Sequence, residues 1–203
     1  MHPNPAFRGT PEEENLRFAA ARGFGMLCVN GAAGPVAAHV PFVMAGARVV
    51  EVHLARSNAV ARMALPAPAL LAVQGPDAYV SPDWYGVPDQ VPTWNYVAVH
   101  LRGVLSPMAG AELEPQVDAL SAEFEGRIAG KRPWTKHKMG DGVMERMMRG
   151  ILPFRLEVTE VEGTWKLNQN KTAEARAGVI AALEAQGGMA AEMARLMRDV
   201  AAG

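Results

Sequence analysis

The sequence predicts a mainly β fold with added helices, a small closed antiparallel barrel in one domain. Three observations carry this. Six or so short segments read as strands, most of them alternating apolar and polar residues with a period of two, and hairpins join them. Helical spacing is confined to the start of the chain, two internal insertions and the C-terminal end. A parallel sheet would need a crossover between each pair of strands, usually a helix, and this order of elements lacks them. Closure into a barrel also removes exposed strand edges. With 203 residues, 49% hydrophobic and 20% charged, the chain can bury one sizeable core. The whole span 1–203 reads as a single domain with a helical extension over about 172–202.

Thr10-Pro11-Glu12-Glu13-Glu14 offers a hydroxyl cap, a proline at the first helical position and acids in the first turn, which predicts a helix over 11–22. Gly23 and Gly25 bracket a change of period. Met26-Leu27-Cys28-Val29 then reads as a strand ending in a tight turn at Asn30-Gly31. Val36, Ala38, Val40 and Phe42 form one apolar face of the next strand, and Val50, Val52 and Leu54 that of the one after. Ser57 or Asn58 can cap a short helix carrying Val60, Met63 and Ala64. Ala69-Leu70-Leu71-Ala72-Val73 suits a strand covered on both sides. A long irregular loop is expected from Gly75-Pro76 through Pro92. Alternation resumes over 93–105, with Val97, Val99 and Leu101 opposite Trp94, Tyr96, His100 and Arg102. Helices follow at 111–125 and from an Asp141 cap to Gly150, then a strand of about nine residues through Phe154, Leu156 and Val158. Two terminal helices close the chain, broken at Gly187-Gly188. The second carries the stripe Met189, Met193, Leu196, Met197 and Val200.

Lys and Arg total 20 against 21 Asp and Glu, so a net charge of -1 provides no global field for nucleic acid or an anionic membrane. Cys28 is the one cysteine and cannot form an internal disulfide; with no charged-then-apolar segment opening the chain, a cytoplasmic protein is expected. The most apolar stretch is interrupted by Pro66 and Pro68, short of the roughly 20 residues a membrane helix needs, so no membrane span is expected.

Several clusters can carry chemistry. His39, His53 and His100 lie opposite the apolar strand faces. They read either as a three-histidine metal site with an open position or as partly buried histidines bonded to backbone, and the second reading leaves the chain without a metal. Arg56-Ser57-Asn58 stands where a strand gives way to a helix start. It is either an anion site for a phosphomonoester, with a planar donor fork and a hydroxyl, or a capping segment beside an exposed arginine. Residues 74–85, Pro92-Thr93-Trp94-Asn95-Tyr96 and Trp165-Lys166-Leu167-Asn168-Gln169-Asn170 pack aromatics with amide and ammonium donors, a combination suited to a flat polar ring. No Gly-x-Ser-x-Gly elbow occurs and Cys28 lies inside a strand, which argues against nucleophilic hydrolysis. Lys131, Arg132, Lys136, His137 and Lys138, with Arg146 and Arg149 following, form the one basic patch. It is a solvated charge run or a contact for DNA phosphates, without a helix-turn-helix pattern beside it.

These segments in this order resemble the PaiB-type FMN-binding family, described as FMN-binding negative transcriptional regulators. The resemblance runs from about residue 3 to 183. It rests on His39-Val40-Pro41-Phe42, His53-Leu54-Ala55-Arg56-Ser57-Asn58, Gln74 through Tyr85, Val91 through Tyr96, and Trp165 through Asn170. It implies a split barrel like that of pyridoxamine phosphate oxidases, working as a homodimer with FMN at the interface. By that resemblance Arg56, Ser57 and Asn58 hold the FMN phosphate, and His39, Val40, Pro41, Phe42 and His53 flank the isoalloxazine. Trp94, Asn95, Tyr96, Lys166, Gln169 and Asn170 complete the pocket from either chain. Asn168 departs from the family pattern, which has serine there, and the Met-rich helix beyond Ala185 has no counterpart in it. Two functions follow from the resemblance: a flavin-responsive transcriptional regulator, or an FMN-dependent oxidoreductase acting on a small molecule. The net charge and the lack of a recognition helix argue against direct sequence-specific DNA binding. No catalytic residue is assigned.

Overall fold

Pro11 leads into α1 (Glu12–Arg22), where Glu12, Glu13 and Glu14 in the first turn and Arg22 in the last complement the helix dipole. The computed structural model describes residues 1–199, and in it Gly23 ends the helix at φ +56 before β1 (Phe24–Gly31). β1 buries Leu27 and Val29 and pairs antiparallel with β2 (Gly34–Gly46), from Phe24↔Pro41 to Gly31↔Gly34. The hairpin turn is therefore Ala32-Ala33, and the expected turn residues Asn30-Gly31 are the last paired residues of the strand. Burial decides this register, because Leu27 and Val29 on one strand and Ala38 and Val40 on the other must all face inward. Gly34, at φ +122, supplies the positive dihedral after the turn.

β3 (Val49–Ala55) pairs with β2, with a register shift between Met44 and Gly46, and its other edge pairs with β6 (Ile151–Lys166) from Val49↔Glu157 to Ala55↔Ile151. β4 (Ala67–Val80) pairs with β1 from Met26↔Ala72 to Val29↔Ala69 and is far longer than the expected five residues. Its inward face falls on odd numbers up to Val73 and on even numbers at Ala78 and Val80, with Gly75 and Pro76 both buried at the change of phase. That slip, and not a loop, is what the Gly-Pro pair marks. The face opposite Leu71 and Val73 is half-buried at Leu70 and Ala72, so the strand alternates where full coverage was expected. β5 (Thr93–Pro107) buries Asn95, Val97, Val99, Leu101 and Leu105 as its alternation requires. β6 is also longer than expected, because it continues past Val158 through Trp165. The six strands are hydrogen-bonded in the cyclic order β1-β2-β3-β6-β5-β4, a closed barrel.

Within the chain two compact units are distinguished: Leu16–Val73 with His100–Val161, and Met1–Asn15 with Gln74–Val99 and the described residues from Glu162 onward. In the first, α2 (Leu113–Gly126) docks through Leu113 and through Gln116, whose Nε2 donates to Val52 O at 2.9 Å. α3 (Val143–Met148) starts after Gly142 at φ 70, and the expected Asp141 cap makes no side-chain bond there; the glycine's left-handed conformation opens this helix instead. In the second unit, Thr172 caps α4 (Ala173–Gln186), whose Val179, Ile180 and Leu183 are buried. Gly187 and Gly188, at φ 73 and 55, turn the chain into α5 (Gly188–Asp199), which buries Met193 and Met197. Val200 and the end of the expected extension at 202 lie outside the described residues.

Candidate functional site

In the first unit the expected site residues lie along β2, β3 and the turn that follows. Val40 and Phe42 are core residues, each 1% exposed, so a ligand on this strand can meet only their main chain. Pro41 is half-buried, and His39 is exposed and stacked on Phe24 with ring centroids 6.3 Å apart at 19°. His53 is half-buried, and burial pushes its pKa below the usual histidine value, which favours the neutral ring. After β3 the chain forms a single 3₁₀ turn, Val60–Arg62, and not the expected helix start. Asn58 shapes it, accepting from Val60 N through Oδ1 at 2.9 Å, while the Asn58 amide donates to Ala55 O at 2.8 Å. A one-turn 3₁₀ segment carries no macrodipole to attract an anion, so any phosphate here would depend on side chains. Arg56 is tied to the chain by N to Gly150 O at 2.9 Å and by Nε to Arg149 O at 2.6 Å. Its guanidinium makes no other hydrogen bond among the described residues, so both Nη groups remain for another partner, with the exposed Ser57 hydroxyl beside them. A pocket of about 360 Å³ opens against Arg56 and Arg149, with Leu113 and Pro153 as apolar walls and Glu114 and Glu145 also lining it. This donor set fits a phosphomonoester on the arginine side of the pocket.

In the second unit Trp94 is 54% exposed and meets Tyr79 edge-on, ring centroids 6.1 Å apart at 73°. Tyr96 is half-buried. Asn95 is fully buried: its Nδ2 donates to the Met197 thioether of α5 at 3.4 Å and its Oδ1 has no partner. Gln169 closes its own turn, with Oε1 accepting from Leu167 N at 2.7 Å and Nε2 donating to Trp165 O at 2.6 Å, so both ends of the amide are occupied by main chain. Asn168 sits in that turn at φ 58, and asparagine tolerates the left-handed region better than serine does, which accounts for the departure from the family pattern. Burial raises the Tyr85 phenol, opposed by the Asn168 amide. The Lys166 ammonium donates to Thr93 Oγ1, and Asn170 is exposed.

Four residues that sequence reasoning passed over belong to this unit. Asn15 is 3% exposed, accepts from Trp165 Nε1 at 2.8 Å through Oδ1 and donates to Thr10 O at 3.2 Å. Its signal was its position: four residues before the buried Ala19, it shares that residue's face of α1. Gly163 is required opposite it, since a Cβ there would lie 2.1 Å from Asn15 Oδ1. Lys171 and Gln90 pair at 2.6 Å, a contact with no local sequence signature.

Two of the lysines of the basic patch are paired within their own unit. Lys131 pairs with Glu125, and Lys136 bridges Glu114 at 2.6 Å and Asp118 at 2.7 Å, which holds its ammonium well above the usual lysine range. Among the described residues no three His, Cys, Asp or Glu side chains group to hold a metal ion, so the three histidines do not converge. No helix among them is long and apolar enough to cross a membrane.

The barrel, its helices and the Arg56 turn can now be set beside known proteins. The family model described as "Putative FMN-binding domain" matches residues 1–160. The chain belongs to this family. As a PaiB-type FMN-binding protein it is 29% identical over 198 residues to the protease synthase and sporulation protein PAI 2 of Bacillus subtilis, covering 95% of this chain and 94% of that one. Among solved structures it is similar to an FAD and heme binding protein from Mycobacterium smegmatis, with a TM-score of 0.56 and 19% identity over 88% of this chain and 78% of that chain. It is also similar to the flavocytochrome Anf3 from Azotobacter vinelandii, with a TM-score of 0.53 and 13% identity over 75% and 66% of the two chains. At these identities the structural likeness shows the fold alone, a split barrel.

Proposed function

We propose that this chain is a cytoplasmic, homodimeric FMN-binding protein forming one domain with a C-terminal helical extension, and that it acts as a flavin-responsive negative regulator of transcription. The observation that carries the FMN reading is the Arg56 turn: a guanidinium anchored through Nε with both Nη groups left over, beside a serine hydroxyl. FMN differs from riboflavin by the phosphate this set would bind. The segments at His39–Phe42 and His53, at Trp94–Tyr96, and at Lys166, Gln169 and Asn170 are the candidates for the remaining contacts. Among them Val40, Phe42 and Gln169 serve through main chain or through the shape of the turn. The regulatory part is supported by the relative's name, a sporulation protein. We take the regulation to be indirect, since the chain has a net charge of -1 and no recognition-helix pattern, and two of the lysines of its basic patch are paired with Glu125, Glu114 and Asp118.

A second reading, an FMN-dependent oxidoreductase acting on a small molecule, is favoured by the Tyr79–Trp94 pair, an open aromatic surface on which a flat substrate can stack. In that case the flavin carries the electrons and the chain supplies binding and orientation.

The first test is a visible spectrum of the purified protein after FMN addition and gel filtration. Retained flavin near one per chain is the expected result, and no retention at micromolar protein would overturn the reading. Arg56→Ala should weaken FMN by about tenfold or more through the lost charged hydrogen bonds and leave riboflavin nearly unchanged. Equal weakening of both would move the phosphate elsewhere. NADH or NADPH oxidation faster than with free flavin would select the oxidoreductase over the regulator.

A further inference from the structure

Outside the Arg56 turn, the second unit holds two cations whose surroundings differ from those of every other paired lysine described. Lys166, at the end of β6, donates from Nζ to Thr93 Oγ1 and lies 5.9 Å from the Phe7 ring centroid. Lys171 donates to Gln90 Oε1 at 2.6 Å and lies 4.9 Å from the Tyr85 centroid. The turn between them is closed by Gln169 and by the Lys171 N to Asn168 O bond of 2.9 Å. Their acceptors stand three residues apart on one segment. Both side chains are half-buried, and all their partners are neutral: a hydroxyl, an amide and two ring faces. Among the described residues neither ammonium has a carboxylate partner, whereas Lys131 and Lys136 do.

Two neighbouring half-buried cations without a counter-ion cost free energy, since each is desolvated and each repels the other. Lys166 registers this: burial first, and the charge of Lys171 second, push its ammonium below the usual lysine value. An oxyanion between them would remove both costs at once.

We propose that Lys166 and Lys171 form an anion site that takes a phosphate or carboxylate group of a bound ligand, with Thr93 and Gln90 holding the two ammoniums in place. The anion can be the phosphate of the flavin or an acidic group on a diffusible second ligand; the chemistry is the same. A purely structural pair, joining residues 90–93 to the turn, would give no anion binding.

Calorimetric titration of the full chain with inorganic phosphate tests this. Saturable binding is expected for the unmodified protein, at least tenfold weaker in Lys171→Gln, restored in Lys171→Arg and unaltered in Lys138→Gln, an exposed lysine outside the cluster. No saturable binding, or equal binding in Lys171→Gln and the unmodified protein, would overturn the proposal. Repeating the titration with FMN and then riboflavin present identifies the source. Because the Arg56 turn also offers donors to phosphate, the site is read from the binding component lost in Lys171→Gln: displacement of that component by FMN and not by riboflavin assigns it to the flavin phosphate and moves the phosphate away from Arg56, and binding of that component undiminished by FMN assigns it to a second anionic ligand; both support the site. Failure of FMN retention with phosphate binding intact would sink the flavin reading and leave this site standing.

Discussion

Single side chains set the clearest local expectations. His53 is held neutral by burial, so its folded-state pKa lies below its unfolded value of 6.5. The unfolded chain therefore takes up the proton first as pH falls, and stability declines through and below about 6.5, while above that value the group contributes nothing. The slope it can add is at most about 1.4 kcal/mol per pH unit for one proton. Urea unfolding at pH 7.5 and 5.5 should show a larger loss for the unmodified protein than for His53→Gln; equal losses would mean the ring is not desolvated. Much of the candidate site was legible at this scale, because Arg56, Trp94 and Lys166 stand where side chains can meet a ligand. Asn15 and Lys171 were not, since their partners Trp165 and Gln90 lie 150 and 81 residues away. Nor could a polar residue type announce that Asn95 would be buried against Met197.

At the level of strands and helices, alternation marks β2, β3, β5 and β6, a turn marks β1 and a continuous apolar run marks β4, but β4 and β6 are longer than these signals indicate. β4 was cut at Gly75-Pro76 because those residues are turn formers, yet both are buried where the inward phase slips by one. In β6 the period breaks after Val158, where Thr159 and Glu160 are both exposed and Val161 and Glu162 both half-buried, before Gly163, Thr164 and Trp165 turn in together. Strand pairing also fixes where a side chain is forbidden. A Cβ on Gly103 of β5 would lie 1.9 Å from Glu157 O on β6, a clash with main chain that no rotamer relieves. Gly103→Ala should lower unfolding free energy by about 3 kcal/mol, read from the denaturation midpoint. Gly110→Ala, where the added carbon meets nothing within 4 Å, should leave it nearly unchanged. A silent Gly103→Ala would contradict the β5–β6 register.

For the molecule as a whole, composition set the class and little else: one core and no net field. The pattern of exposed apolar residues goes further. Phe24, Met26 and Val104 in one unit, and Tyr79, Val91 and Trp94 in the other, leave large hydrophobic side chains 38–72% exposed. A stable dimer buries about 800 Å² per partner, and exposed apolar side chains of this kind are what the buried centre of such an interface is made of. Sedimentation equilibrium should give twice the chain mass, and Trp94→Glu with Met26→Glu should shift it toward the single chain. A monomer at all concentrations would remove the partner chain from the proposed site. The basic patch, by contrast, could not be judged from charge counting, because the acids that neutralise Lys131 and Lys136 come from α2.

The self-bound amide of Gln169 bears on how such chains are compared. Trp165-Lys166-Leu167-Asn168-Gln169-Asn170 looks like a ligand-reading motif, but Gln169 spends both ends of its side chain on residues 165 and 167, and Asn168 is suited to its dihedral angle. A search keyed to this hexapeptide therefore retrieves proteins that close the turn in the same way, whatever they bind. Within it, only Lys166 and Asn170 keep information about a ligand, and a shared glutamine between two such chains is a statement about folding and not about chemistry.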